Sequence, residues 1–261
     1  MTWALVYEQA IRPDGSLLFP ERLTQSFLDQ ARRTMGSYYF ANQYQNEIIP
    51  EGDKVFKPQW IRYFEAGKLP QTLYNFAFVD PAISQQEGAD YTALVVISVD
   101  CDKNWYVRHA RRERMNPSQL IEMLFRVKQM WKPLSIGIEN VAFQQAILHF
   151  ASEEMRRRGE ILPITGVNPG TDRNKEMRIL GLVPRFEWGS LMLAPHQSDL
   201  ELELAQFPRG AHDDILDALS SLEEIVYYPT PIRTQDEKPA ATDPRYESWY
   251  IQQLVKRQSG T

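Results

Sequence analysis

The sequence predicts an α/β fold in which a mixed β-sheet is flanked by helices. Strand-like apolar runs and amphipathic helical runs alternate through the middle of the chain. The first three strand candidates are separated by short gaps, which is typical of antiparallel hairpins. The later strand candidates are separated by helices, which is the pattern of a sheet that continues with parallel strands.

The first half of this region predicts three strands and a helix. The strands lie at residues 76–80, 92–99 and 105–112, and the second is rich in β-branched residues. Asn116-Pro117 is a favourable helix start, with an N-cap residue before a proline at the first helical position. The apolar stripe of that helix consists of Leu120, Ile121, Leu124, Val127 and Trp131.

The second half predicts two further strands, a short third one and four helices. The strands lie at residues 134–139 and 161–165, with a short one near Leu191–Leu193. The helices are predicted at residues 142–158, from about 173, at 199–205 and at 213–228. This order of elements is the ribonuclease H-like topology. It places the end of the first strand beside the end of the fourth, and the start of the final helix at the same edge.

The chain is expected to have three parts. Residues 1–72 are mixed, with a strand-like start at 3–7 and a helix from about Thr24. An aromatic, irregular stretch from Tyr38 to Phe64 follows that helix. Residues 73–228 form the α/β domain, and residues 229–261 form a polar, proline-containing tail. No apolar run reaches the roughly 18–20 residues of a membrane span, no signal peptide is evident, and Cys101 is the only cysteine. A membrane role and a disulfide scaffold are therefore excluded, and a cytosolic setting is expected.

Acidic residues end two of the apolar runs and open the final helix. Asp80 follows Asn75-Phe-Ala-Phe-Val, Glu139 follows Leu134-Ser-Ile-Gly-Ile, and Asp213 and Asp214 precede an apolar helical stretch. Taken singly, each acid is explained by a turn or by helix capping. Together they are not, because Asp217 lies three and four residues beyond the helix acids, on one side of the helix. Carboxylates this close destabilise one another unless a cation intervenes.

These residue types suit a divalent-metal nuclease. Mg²⁺ or Mn²⁺ binds carboxylate oxygens, and two such ions can hydrolyse a phosphodiester. Asp80 is the candidate bridge between two ions, Glu139 binds one, and Asp213 and Asp214 complete the set, with Asp214 slightly favoured and Asp217 the weaker candidate. Asp80, Glu139 and Asp214 are thus the predicted catalytic residues. The sequence has no HExxH zinc motif, no phosphate-binding loop, no GxSxG and no GxGxxG.

Two clusters of arginines are candidates for contacting DNA phosphates. One cluster surrounds Arg111 and Arg112, and the other comprises Arg156, Arg157 and Arg158. The net charge of −5 argues against an overall basic coat, although it is compatible with a local basic face. The alternative is that both clusters are ordinary solvated surface.

Several segments resemble the large terminase subunit of tailed bacteriophages. Phe207-Pro-Arg-Gly-Ala-His-Asp-Asp-Ile-Leu-Asp-Ala-Leu219 is similar to the closing nuclease motif of that family. The run ending at Asp80, with Asp90 following, resembles its first motif, and Ile136-Gly-Ile-Glu-Asn140 resembles its second. The segments 13–21 and 40–46 resemble the end of the terminase ATPase domain, which leads into the nuclease.

The resemblance implies an endonuclease that cuts concatemeric viral DNA during genome packaging, with little sequence preference. It implies double-stranded DNA, the portal protein, the small terminase subunit and an ATPase domain as partners, in the bacterial host cytoplasm and transiently at the procapsid portal. Asp80, Glu139 and Asp214 match the catalytic acids of the family, Asp213 matches a further metal ligand, and Lys175 and Arg178 lie where a basic residue would touch the cut strand. Because the phosphate-binding loop is absent, no ATP hydrolysis is expected of this chain.

Two other functions remain open from the sequence. A resolvase or transposase nuclease of the same fold would share the acids but prefer branched or end-specific DNA. Alternatively, the domain is mainly a module that grips DNA and docks on the portal, with latent cleavage.

Overall fold

The computed structural model describes residues 8–47, 54–81, 91–139, 144–167 and 175–228. The Cα positions divide the chain into two units, Met1–Tyr228 and Pro229–Thr261, and all described residues belong to the first. The predicted strand at 3–7, Asp90, Asn140 and the predicted tail lie outside the described residues. The division between residues 72 and 73 stays a prediction. Within the described residues, no helix is long and apolar enough to cross a membrane.

Six strands form one mixed sheet, which confirms the predicted fold class. The strands are β1 (Tyr74–Asp80), β2 (Thr92–Val99), β3 (Trp105–Glu113), β4 (Ser135–Glu139), β5 (Ile164–Val167) and β6 (Leu191–Leu193). Their order across the sheet is β5-β4-β1-β2-β3-β6. The first three strands pair antiparallel in sequence order, whereas β4 pairs parallel with β1, β5 with β4, and β6 with β3.

Helices cover both faces of the sheet, as the strand sequences require. In β1, Phe76 and Phe78 pack into one core, and Ala77 and Val79 pack into the core on the opposite face. This alternation follows from the period of two along a strand. The described helices are α1 (Gln25–Tyr44), α2 (Pro117–Trp131), α3 (Gln144–Arg158), α4 (Lys175–Leu180), α5 (Val183–Trp188), α6 (Ser198–Gln206) and α7 (Asp214–Ser221). Residues of α2 and α3 fill the core with Ala77, and residues of α4 to α7 fill the core with Phe76.

The start of α2 follows the sequence signal closely. The Asn116 side chain accepts a hydrogen bond from the Gln119 N–H, and the Gln119 side chain accepts one from the Asn116 N–H. This reciprocal arrangement is a capping box.

Three helix predictions are wrong in their extent. The final helix ends at Ser221 and not at Tyr228, and a 3₁₀ turn follows it at Leu222–Glu224. The helix expected from about residue 173 is two short helices, α4 and α5. The turn between them places Pro184 in the first turn of α5, where a proline is tolerated.

The third error concerns the N-terminal region. The aromatic stretch from Tyr38 was expected to be irregular, but α1 continues through it to Tyr44. The helix kinks at Gly36, whose φ of 76° is left-handed. Glu187 on α5 accepts the Ser37 N–H at 2.8 Å and so caps the second half of the kinked helix.

Candidate active site

Two predicted acids lie side by side at one edge of the sheet. Because β1 and β4 run parallel and Val79 is level with Ile138, Asp80 and Glu139 end their strands at the same edge. Gly137 allows this register, since a Cβ there would lie 2.5 Å from the Phe78 ring. The two carboxyl groups are close enough to share a hydrogen bond.

The charged groups around the Asp80 carboxyl are mostly negative, and Lys175 only partly offsets them. Burial raises its pKa, and the hydrogen bond to Glu139 and the negative charges of Glu139 and Asp217 raise it further, while Lys175 opposes them. A partly buried carboxylate pair favours a proton or another cation between its oxygens. The end of the central strand is therefore a place that attracts a cation.

Helix α7 brings the other acids to the same edge. Its apolar residues Ile215, Leu216 and Leu219 are fully buried in the core beneath the sheet. Its first turn then carries Asp214 and Asp217, and Asp217 lies close enough to raise the Asp80 pKa.

Unlike the strand pair, the helix acids have basic partners within the chain. The Lys175 Nζ lies 2.6 Å from the nearest oxygen of Asp213, 4.0 Å from that of Asp214 and 3.7 Å from that of Asp217. The Arg178 Nη2 lies 2.6 Å from the Asp217 Oδ1. One turn of α4 thus faces one turn of α7, with cations opposite carboxylates.

The pKa values of this group reflect the pairing. Burial alone lowers the pKa of Lys175, but the hydrogen bond to Asp213 and the charges of the three aspartates raise it above its usual value. Burial raises the pKa of Asp217, and Arg178 and Lys175 counteract that rise. Lys175 is therefore firmly charged, and it holds the trio of aspartates together.

The donor chemistry of this edge fits a hard divalent cation. Asp80 and Glu139 supply carboxylate oxygens, which Mg²⁺ and Mn²⁺ prefer. Within the described residues, however, no group of three or more His, Cys, Asp or Glu side chains is arranged to hold a metal ion. The acids instead form a strand pair, Asp80 and Glu139, and a helix trio, Asp213, Asp214 and Asp217, and Lys175 lies near both.

The basic residues predicted to contact DNA lie in different settings. Arg178 is mostly buried against Asp217. Arg112 on β3 is 13% exposed and pairs with Glu203 at 2.9 Å. Arg111 points to the other face, is 61% exposed and pairs with Glu113. Arg157 and Arg158 on α3 pair with Glu154. Lys175 is 39% exposed, so Arg111 is more open to solvent than Lys175, Arg112 and Arg178. A DNA-contacting role for these four residues stays a prediction.

Sequence reasoning overlooked three residues beside the acids. Glu203 on α6 is a buried carboxylate that accepts hydrogen bonds from the start of α7. The His212 Nδ1 lies 3.6 Å from the Asp214 Oδ2, and the Tyr91 ring meets the His212 ring edge-on. The signal for Glu203 was present, because it occupies an inward position of α6 between Leu200 and Leu204, where an apolar residue is expected.

Glu203 is unusual for its burial. Burial raises its pKa to about 7, even though the Leu216 N–H, the Arg112 charge and the Ile215 N–H all favour the ionised form and only the Asp214 charge adds to the rise. Its partners are two N–H groups of α7, the helix that carries the acids, and Arg112 on β3.

Comparisons with known proteins identify the fold family. The family model described as the terminase RNase H-like domain matches residues 77–222. The large terminase nuclease of thermophilic phage G20c, solved with bound magnesium, is similar at 18% identity and a TM-score of 0.47, over 66% of this chain and 97% of that chain.

Two resolvases are also similar. RuvC of Thermus thermophilus aligns at 15% identity and a TM-score of 0.36, over 56% of this chain and 91% of that chain. The fowlpox virus resolvase aligns at 13% identity and a TM-score of 0.38, over 57% of this chain and 97% of that chain. No curated protein matches the chain. At these identities the structural likeness concerns the fold, and the family match carries the assignment.

Proposed function

Because this chain belongs to the terminase RNase H-like domain family, we propose that it is a divalent-metal-dependent endonuclease that cuts concatemeric viral DNA during genome packaging. The family match supports a nuclease of the RNase H-like superfamily. The cofactor, the substrate and the biological step are the parts that we propose here.

A single observation carries the proposal. Asp80 and Glu139 share the end of two neighbouring parallel strands, and the surroundings raise the Asp80 pKa. Two partly buried carboxylates that share a hydrogen bond disfavour their fully ionised form, and a cation between them relieves that repulsion, so their placement at one edge is best explained by a bound cation.

The residues are assigned roles as follows. Asp80 and Glu139 provide oxygen ligands from the sheet, and Asp214 and Asp213 provide further ligands from α7, with Asp217 in a weaker position. Two Mg²⁺ or Mn²⁺ ions, when bound, would stabilise charge on the attacking and leaving oxygens of a phosphodiester. Lys175 holds its positive charge beside the acids, where it would attract a phosphate and orient the aspartates.

The proposed partners follow from the family. The substrate is double-stranded DNA, cut with little sequence preference, and we propose that the portal protein, the small terminase subunit and an ATPase domain act with this domain at the procapsid portal in the host cytoplasm. We expect this chain to hydrolyse no ATP, and a nucleotide-turnover assay with robust activity would contradict that.

The direct test is the Asp80→Ala variant in a plasmid-nicking assay with Mn²⁺. Loss of a bridging ligand removes several kcal/mol of charge stabilisation, which corresponds to a rate decrease of roughly 10³-fold. Asp102→Ala is the matched control, because Asp102 is an exposed acid in the turn between β2 and β3, at the opposite end of β2 from the residue that pairs with Asp80. Undiminished nicking by folded Asp80→Ala protein would refute the proposal.

The same assay separates the two alternatives. A resolvase would cut four-way junctions in preference to linear duplex. A module that only grips DNA would bind duplex in a salt-dependent manner and cut neither substrate at any metal concentration.

A further inference from the structure

We propose that Glu203 is a positioning residue that caps α7 from a neighbouring helix, so that the Asp213 and Asp214 carboxylates stay turned towards the active site. This inference rests on the proposed nuclease function, because it assigns the role of Glu203 within that site.

The first turn of α7 needs hydrogen-bond acceptors. The N–H groups at the start of a helix have no partner within the helix, and the side chain of the N-cap residue usually accepts from the second or third of them. Asp213 occupies the N-cap position and is one of the best residues for this task, yet its side chain makes no capping hydrogen bond.

Glu203 takes over that task from outside the helix. Its Oε2 accepts the N–H groups of Ile215 and Leu216, the second and third residues of α7, at 3.0 Å each. Its side chain is 1% exposed, so water does not compete for these hydrogen bonds. The negative charge also lies at the positive end of the helix dipole.

Arg112 holds Glu203 in this orientation. The Arg112 Nη1 donates to the other carboxylate oxygen, Glu203 Oε1, at 2.9 Å. One oxygen of Glu203 therefore belongs to β3 and the other to α7. The carboxylate connects the sheet to the helix that carries the acids.

The consequence concerns Asp213. With the helix already capped, the Asp213 carboxylate is free to bind Lys175 at 2.6 Å, outside the helix. Without Glu203, the same carboxylate is the nearest acceptor for the unsatisfied N–H groups, and folding back onto them would withdraw it from the site. Glu203 thus caps the helix in place of Asp213. Without Glu203, helix capping and metal binding would compete for the Asp213 carboxylate.

Two double variants isolate the capping role. Arg112→Met with Glu203→Leu removes both the ion pair and the acceptor, and Arg112→Met with Glu203→Gln removes the ion pair but keeps an acceptor. Both lose Arg112, so any contribution of that arginine to DNA binding cancels in the comparison. Leu120→Ala, in the core on the opposite face of the sheet, is the control for a general loss of stability.

Three measurements are made on each protein: amide hydrogen exchange of Ile215 and Leu216, Mn²⁺ binding by calorimetry, and the Mn²⁺ concentration that gives half-maximal nicking. For the Leu variant we expect faster exchange at these two amides. We also expect weaker Mn²⁺ binding and a higher Mn²⁺ requirement, each by roughly 10–100-fold, which is typical when a group supporting metal ligands is removed. The Gln variant should stay close to the wild type in all three, and Leu120→Ala should keep its Mn²⁺ dependence while losing melting temperature.

The outcomes distinguish this inference from the proposed function. If the Leu and Gln variants share one Mn²⁺ dependence, or if the two amides exchange alike in both, Glu203 does not position the acids, and the nuclease assignment stands. If Asp80→Ala nicks DNA as the wild type does, the nuclease assignment fails. The amide exchange and Mn²⁺ binding of the two double variants then still decide whether Glu203 positions α7.

Discussion

The strand pair and the helix trio are two groups of carboxylates at one edge of the sheet, and the protein treats them differently. Asp80 and Glu139 face each other, and the surroundings raise the Asp80 pKa. Asp213, Asp214 and Asp217 face Lys175, and Arg178 adds a second cation at Asp217.

The difference indicates what each group requires. The helix trio has two cations opposite its three carboxylates, so most of its charge is offset within the chain. The strand pair has no such partner at hydrogen-bond distance among the described residues, and we expect it to become more favourable when a cation binds from solution. We therefore expect the chain to fold without metal and a divalent ion to be attracted first to the strand pair.

The largest expected effect comes from unbalancing the trio. In Arg178→Met, Asp217, whose side chain is 8% exposed, loses its closest cation, and we expect a loss of about 3–5 kcal/mol in the free energy of unfolding, measured in urea. Adding Asp217→Leu should restore most of that loss, since no buried charge is then left unpaired. If the double variant also nicks DNA, Asp217 is not a required ligand.

A smaller effect of opposite sign is expected at the strand pair. The folded pKa of Asp80 lies above its unfolded value of 3.8, so the folded state holds the proton more tightly, and stability falls as pH rises through the interval between the two values. Asp80→Asn removes this loss. In the absence of metal it should be more stable than the wild type by on the order of 2 kcal/mol at neutral pH.

The pH and metal dependence provide the check on that prediction. The advantage of Asp80→Asn should vanish below about pH 3, where Asp80 is protonated in both states. Added Mn²⁺ should raise the melting temperature of the wild type and leave that of Asp80→Asn nearly unchanged, because the ion binds the folded wild type alone. A variant that is less stable than the wild type at neutral pH without metal would contradict the description of the strand pair.

A still smaller effect is expected from Lys175. This side chain is partly exposed, so Lys175→Met should lower the free energy of unfolding by less than about 1 kcal/mol. The three aspartates would then lack their shared cation, and the melting-temperature increase caused by Mn²⁺ should become larger than in the wild type. Lys128→Met is the control, because Lys128 pairs with a single exposed acid, Glu160. An unchanged Mn²⁺ response would mean that the Lys175 ammonium does not compete with a metal ion for these aspartates.

The smallest effect concerns DNA binding away from the acids. If Arg111 contacts a phosphate, Arg111→Ala should reduce the slope of log K against log salt by about 0.9 and weaken binding only modestly. Arg12→Ala, a partly exposed arginine paired with Glu8 outside both predicted arginine clusters, is the comparison. Equal salt slopes for Arg111→Ala and the wild type would remove Arg111 from the predicted contacts.

Local sequence signals were reliable wherever neighbouring residues decide the structure. The run from Thr92 to Val99 formed a strand with these bounds, and Asn116-Pro117 began a helix as expected. The signals failed where partners distant in sequence decide. The aromatic stretch from Tyr38 became helical through a kink that Glu187 caps, 150 residues away in sequence.

The positions of the acids at strand ends and on one side of a helix were readable from the sequence, because the periods of strand and helix are fixed by backbone geometry. The prediction made from these positions gave the fold class and placed Asp80, Glu139 and the α7 aspartates at one edge. Only the tertiary structure decided which carboxylates are balanced by Lys175 and Arg178, and which buried acid caps α7. Those pairings depend on side chains from α4 and α6 that approach through space, and no local pattern specifies such an approach.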